Sequence, residues 1–127
     1  MSCPRAADVL AILLDSFNAG DVNGVRNSLM PDVYVSDDLP GAPRYDSLGR
    51  PNGAGEAYLL ERMKAGERFN DITITPGSSP DVAGVSMTRT ETTTTLYVKG
   101  KAVTSLVYPD CVALATLVLV SRVTALP

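Results

Sequence analysis

Histidine is absent from this 127-residue chain, and cysteine is confined to Cys3 and Cys111. The commonest metal ligand, which is also the side chain best suited to acid–base work near neutral pH, is therefore missing. Zinc chemistry and nucleophile activation by Ser-His or Cys-His pairs are excluded on that ground. Two cysteines cannot make a disulfide framework and have no metal-motif company, so reduced thiols are expected, with Cys111 packing as a small apolar residue. Positive charge is scarce too. The formal net charge is −3, and no Lys/Arg cluster supplies the electrostatic footprint of nucleic-acid binding. No apolar run reaches the roughly 20 residues a membrane span needs. Met1 is followed by no basic segment and no apolar stretch with a small-residue cleavage site. The chain reads as a soluble, cytoplasmic protein without a nucleic-acid or membrane partner, and its residues require neither cofactor nor metal.

What is present fits one globular domain over residues 1–127. A chain of this size buries roughly two-thirds of its unfolded surface, enough to enclose a ligand cavity. Ser2 is placed to cap a first helix with Pro4 in its first turn. Val9, Leu10, Leu13, Leu14 and Phe17 then fall on one stripe. Gly20 suits the left-handed position that ends a helix, and Asp21 directly after it is a good N-cap for the next. That second helix is predicted over Val22 to Met30 and should stop before Pro31, because proline disfavours helical geometry in the residue preceding it. A short strand is expected from Val33 to Asp37.

Residues Asp38 to Asn52 contain Pro40, Pro43 and Pro51 with Gly41 and Gly49, and read as a long loop. A third helix is expected from Ala54 to Ala65, with Tyr58, Leu59, Leu60 and Met63 as its apolar residues and Gly66 as its stop. The remainder is rich in Val, Thr and Leu, with turn signals at Pro76-Gly77-Ser78, Lys99-Gly100 and Pro109-Asp110. Strands are predicted at Asp71–Thr75, Val82–Glu91, Thr93–Val98, Ala102–Tyr108 and Val112–Val123. Three helices followed by a mostly antiparallel sheet make an α+β domain with helices on one face. The last strand is apolar on both parities, as expected of a strand buried on both faces. One face is then free to meet a second subunit, so a homodimer through the sheet is expected.

The run Asn18-Ala19-Gly20-Asp21, a valine-bearing second helix, Pro31-Asp32-Val33 and a strand closing on Asp37-Asp38 resemble the nuclear transport factor 2-like superfamily, especially its ketosteroid isomerase-like and polyketide cyclase-like branches. The resemblance implies a cone-shaped α+β barrel, in which a curved sheet wraps a long helix around an apolar pocket for a small apolar ligand. It bears on the fold more than on the reaction, because this superfamily hosts many activities.

Strand alternation puts Val33, Val35 and Asp37 on one face. If the valines face the pocket, Asp37 does too. In the isomerase-like branch the carboxylate at the corresponding strand end removes a proton next to a carbonyl, while a tyrosine and a protonated aspartic acid stabilise the oxyanion. The first-helix tyrosine position of that branch holds Leu13 here, which has no donor. Asp110 is the nearest candidate for the second acid, although Pro109-Asp110 reads equally as a turn. Tyr58, Tyr97 and Tyr108 are alternative donors.

A second, limonene epoxide hydrolase-like branch uses two aspartates and an arginine, for which Asp37, Asp110 and Arg89 supply the residue types. By parity Arg89 accompanies Val85 and Met87. Burial statistics instead favour a mid-strand arginine on an exposed face, beside Glu91. Asp37 also has a plain reading as a turn residue bonded to its own backbone. Met30, Met63 and Met87 are expected as core fillers. Two functions follow as expectations. One is a small enzyme with Asp37 as general base, giving isomerase, cyclase or epoxide-hydrolase chemistry. The other is a non-catalytic ligand-binding or dimerisation domain.

Overall fold

The computed structural model of the chain describes residues 5–37, 53–90, 96–106 and 113–125. Both cysteines, the predicted loop over residues 38–52, and Tyr108 and Asp110 lie outside the described residues. The architecture is α+β. Helix α1 (Ala6–Ala19) leads into α2 (Val22–Asn27) and strand β1 (Leu29–Asp37). Helix α3 (Ala54–Lys64) precedes β2 (Arg68–Pro76), β3 (Val82–Thr90), β4 (Leu96–Leu106) and β5 (Leu114–Ala125). The sheet order is β1-β5-β4-β3-β2. Neighbours are antiparallel except β1 and β5, which run parallel. No helix among the described residues is long and apolar enough to cross a membrane.

The junction between the first two helices forms as its residue types dictate. Gly20 takes the left-handed conformation at φ 71°, and its N–H donates to the Phe17 carbonyl. The Asp21 side chain caps α2 by accepting the Gly24 N–H at 3.0 Å. The start of α1 differs from the prediction. Arg5 occupies the N-cap position without a side-chain bond that caps the backbone, and a tertiary contact caps the helix instead, with the Ala6 N–H donating to the Pro80 carbonyl at 2.8 Å.

The second helix ends at Asn27 rather than Met30, and β1 begins at Leu29 with Pro31 inside it. Proline is acceptable there because β1 is an edge strand and the β1–β5 register shifts between Leu29 and Tyr34. Instead of donating, Pro31 accepts the Gly53 N–H through its carbonyl at 2.9 Å, beside the start of α3. Likewise β2 begins at Arg68, ahead of the expected Asp71. The irregularity that disguised it is a register shift between Asn70 and Thr73, where Asp71 adopts φ 52°, a conformation aspartate tolerates better than most residues.

The expected turn at Lys99-Gly100 does not form. Strand β4 runs through it, with Gly100 opposite Met87 of β3 and Ser121 of β5. A Lys-Gly pair makes a turn only where the chain can fold back. Here unbroken ladders on both sides hold it extended, so tertiary pairing overrides local preference.

The core gathers Val9, Leu10, Leu13, Leu14 and Phe17 of α1, Leu59 and Met63 of α3, and inward residues of the sheet. Each such side chain contributes about 1.5–3 kcal/mol when fully buried. Leu13 is part of this core, 2 % exposed. Helix α1 is fixed to the edge strand β2 by Asn18, whose amide donates to the Phe69 carbonyl at 2.8 Å and accepts the Phe69 N–H at 2.9 Å. The Phe17 and Phe69 rings meet beside it, their centroids 4.6 Å apart.

Candidate functional site

Strand alternation delivers Asp37 to the interior. Val33, Val35 and Asp37 are all buried, Asp37 completely, while Tyr34 and Ser36 on the other face are partly exposed. Helix α3 lies close above β1 because Gly55 faces it. A Cβ on that residue would stand 2.8 Å from the Val33 carbonyl oxygen. One turn further along, the buried Tyr58 turns toward the end of β1 and its hydroxyl donates to Asp37 Oδ2 at 2.6 Å. On β3, Ala83, Val85, Met87 and Arg89 share the inward face, and all four are buried.

Arg89 is 1 % exposed, which overturns the surface placement beside Glu91. It grips Asp37 with both ends of its fork, Nη1 to Oδ1 at 3.0 Å and Nη2 to Oδ2 at 2.8 Å. The statistics fail because they describe arginines without a buried carboxylate to meet. A paired, bidentate guanidinium is the cation best suited to such a position.

Sequence reasoning missed a second carboxylate. Glu67 follows Gly66, whose φ of 95° turns the chain from α3 into β2, and it is 1 % exposed. Arg68 braces that corner from outside, its Nη1 donating to the Glu67 carbonyl at 2.6 Å and the Met63 carbonyl at 3.2 Å. Arg89 Nη2 donates to Glu67 Oε1 at 2.9 Å and Oε2 at 3.2 Å. Arg62 of α3 donates to the same Oε1 at 2.7 Å. The available signal was positional, a glutamate immediately after a helix-stopping glycine. It carried no weight while the next strand was placed as late as Asp71.

The site is thus two carboxylates bridged by Arg89, with a phenol on one and a second arginine on the other. Its formal charges balance when both carboxylates are ionised. Burial, then the hydrogen bond to Asp37 and that residue's negative charge, hold the Tyr58 phenol well above its ordinary range. Burial works to lower Arg89, but its hydrogen bonds and charge interactions with Asp37 and Glu67 outweigh it, and the guanidinium stays charged. The Phe69 ring faces Arg89, 5.8 Å from its centroid to the guanidinium carbon. Among the described residues no group of three or more His, Cys, Asp or Glu side chains is placed to hold a metal.

Of the site residues expected from sequence, Asp37, Tyr58 and Arg89 come together. Tyr97 lies on β4 with its Cα opposite Thr90, and its side chain is outside the described set. Tyr108 and Asp110 fall outside the described residues.

Comparison with known proteins places this arrangement in a fold. No family model matches the sequence, and no curated protein matches it. Solved structures do, and they show that the chain has the nuclear transport factor 2-like fold. A nuclear transport factor 2-like protein of Cytophaga hutchinsonii matches at TM-score 0.68 and 10% identity, over 96% of this chain and 95% of that one. A polyketide cyclase-like protein of Xanthomonas campestris is similar at TM-score 0.66 and 20% identity, covering 91% of this chain and 88% of its own. The epoxide hydrolase/cyclase-like enzyme SalBIII, described for its role in pyran ring formation in the polyether salinomycin, matches at TM-score 0.71 and 12% identity, over 94% of each chain. At these identities the likeness is one of fold.

Proposed function

We propose that this protein is a small cofactor-free enzyme that acts on an apolar substrate in a conical pocket, with Asp37 as general base in a cyclase- or epoxide-hydrolase-like reaction. The observation that carries the reading is the completely buried Asp37 carboxylate, held by Arg89 and in direct contact with the Tyr58 hydroxyl. Three donors on one carboxylate favour its ionised form, the form a base requires. Structural likeness to polyketide cyclase-like proteins and to SalBIII supports the same class.

The chemistry balances within the pair. Asp37 takes the proton of a hydroxyl nucleophile, either a substrate hydroxyl or water, as its oxygen bonds to an epoxide carbon. The C–O bond at that carbon breaks, and Tyr58 gives its proton to the departing oxygen. The proton on Asp37 then passes to the Tyr58 phenolate across their hydrogen bond, restoring both groups. Tyr58 is a weak acid here, yet an opening epoxide develops an alkoxide that is far more basic. An attacking substrate hydroxyl gives a cyclic ether, and water gives a diol. Leu13, where the isomerase-like branch has its tyrosine, weighs against steroid-type isomerisation. Asp110, Tyr97 and Tyr108 are proposed as further pocket groups. The apolar β5 is proposed to support a homodimer through the sheet, in the cytoplasm.

The test is turnover of a panel of aliphatic epoxides and hydroxy-epoxides, followed by gas chromatography, for the wild type and Asp37→Asn. Conversion of at least one compound by the wild type and its loss in the variant are expected. A folded wild type that converts none, or an equally active variant, overturns the reading.

A second reading has its own observation: both Asp37 oxygens are already occupied. In that case the ion network is an internal brace of a non-catalytic ligand-binding or assembly domain. Ligand binding then survives Asp37→Asn, while stability falls because the buried Arg89 loses its ionised partner.

A further inference from the structure

Among the described residues, three atoms of the buried network are each shared between two neighbouring side chains, and together they link Arg62, Glu67, Arg89, Asp37 and Tyr58 in a file. Glu67 Oε1 accepts from Arg62 Nη2 at 2.7 Å and from Arg89 Nη2 at 2.9 Å. Arg89 Nη2 donates to Glu67 and also to Asp37 Oδ2 at 2.8 Å. Asp37 Oδ2 accepts that bond and the Tyr58 hydroxyl at 2.6 Å. Along this file the members differ in access to solvent. The side chains of Asp37, Glu67 and Arg89 are 0–1 % exposed, whereas Arg62 is 20 % exposed.

From this geometry we propose that Arg62 is a positioning residue for the Asp37–Tyr58 pair, acting through Glu67 and Arg89. The inference rests on the reading of Asp37 as the base only for its functional meaning. Its physical content is a relay. Arg62 neutralises Glu67 from the solvent side. With that charge removed, Glu67 draws harder on Arg89 Nη2, the guanidinium shifts its donation away from Asp37 Oδ2, and Asp37 leans more on the Tyr58 hydroxyl. In a low-dielectric interior such linked hydrogen bonds polarise one another, so a change at one end is felt at the other. Arg62 also bears on Tyr58 directly, its positive charge working to lower the phenol against burial and Asp37, and the hydrogen-bonded route through Glu67 and Arg89 runs beside that direct field. A lysine at this position keeps the charge on a flexible stem, whereas a methionine keeps much of the volume and loses the charge.

The experiment reads the Tyr58 hydroxyl proton by NMR, assigned through its disappearance in Tyr58→Phe, with no substrate required. Arg62→Met is expected to move the signal downfield, and Arg62→Lys to return it most of the way. Glu67→Gln removes the middle of the relay, so Arg62→Met in that background is expected to add only a small part of its wild-type shift, the part owed to the direct field of Arg62, because effects within one network are not additive. Arg26→Met serves as the control. It breaks the exposed Arg26–Glu56 pair on α3's outer side, 2.8 Å across, and is expected to leave the signal unmoved. An unchanged resonance in a folded Arg62→Met protein overturns the proposal, as does a full additional shift in the Glu67→Gln background or an equal shift from Arg26→Met. Failure here leaves the role of Asp37 standing, since the turnover of Asp37→Asn decides that separately. If Arg62→Met does not fold, Arg62→Gln is read in its place under the same criteria.

Discussion

Arg89 holds both oxygens of Asp37 from 52 residues away in sequence, in a part of the core where both side chains are essentially inaccessible to water. Ion pairs so placed are costly to assemble and more costly to break on one side. The desolvation of each charge has been accepted on condition that the other is present.

Arg89→Met leaves Asp37 and Glu67 buried beside each other without their shared cation. Chemical denaturation at pH 7 is expected to show a loss of about 3–5 kcal/mol. Replacing all three groups together, with Asp37→Asn, Glu67→Gln and Arg89→Met, should recover most of it. If the single variant is as stable as the wild type, the network is not closed in solution.

Tyr58 provides a pH signature. Its folded-state pKa is raised above the ordinary value of 10.0, chiefly by burial and then by Asp37, so the folded protein binds this proton more tightly than the unfolded chain. The resulting stabilisation is fully present below pH 10 and is lost as pH rises from there through the folded value, at up to about 1.4 kcal/mol per pH unit. Denaturation curves between pH 9 and pH 12 should fall more steeply for the wild type than for Tyr58→Phe. Phenolate absorbance should show one of the five tyrosines ionising after the others. Parallel curves would remove Tyr58 from the buried network.

Tyr58→Phe at neutral pH deletes a hydrogen bond to a charged acceptor. A stability loss of about 1.5–3 kcal/mol is expected. Under the proposed mechanism turnover should fall far more than binding, which separate measurements of kcat and KM would reveal.

Gly55→Ala should destabilise the protein, although alanine is the better helix former by about 1 kcal/mol. The added methyl would meet the Val33 carbonyl oxygen and the Val35 side chain, both at 2.8 Å, and could be accommodated only by lifting α3 from β1. The net cost should be about 1–3 kcal/mol, with Tyr58 carried away from Asp37. A variant more stable than the wild type would show that the close approach is not rigid.

Asn18→Ala removes a side chain that both donates to and accepts from the Phe69 backbone. Two partly buried backbone groups lose their partner at once, and a loss of about 2–4 kcal/mol is expected by thermal or chemical denaturation. Asn18→Asp should recover little, since its carboxylate cannot donate to the carbonyl. A near-neutral alanine variant would mean that water replaces the amide there.

Much of the fold was legible because the responsible forces act over a few residues. Gly20 and Asp21 mark a helix junction through their own backbone and side-chain chemistry. Alternation likewise put Val33, Val35 and Asp37 on one face, and Val85, Met87 and Arg89 on another. The errors came where long-range pairing overruled such signals. Pro31 sits inside a strand because that strand is at the sheet edge, and Lys99-Gly100 stays extended between two ladders.

By itself, then, the sequence determined the helix junction, the inward parity of Asp37 and, through its lack of histidine, the absence of imidazole chemistry. These depend on residue type and short spacing alone. Only the tertiary structure decided that Asp37, Tyr58, Glu67 and Arg89 would meet. Their meeting depends on strand order, on the left-handed corner at Gly66 and on the closeness of α3 to β1. It also reversed the expected exposure of Arg89, because a guanidinium's preference for water yields only where buried carboxylates stand ready to replace that water.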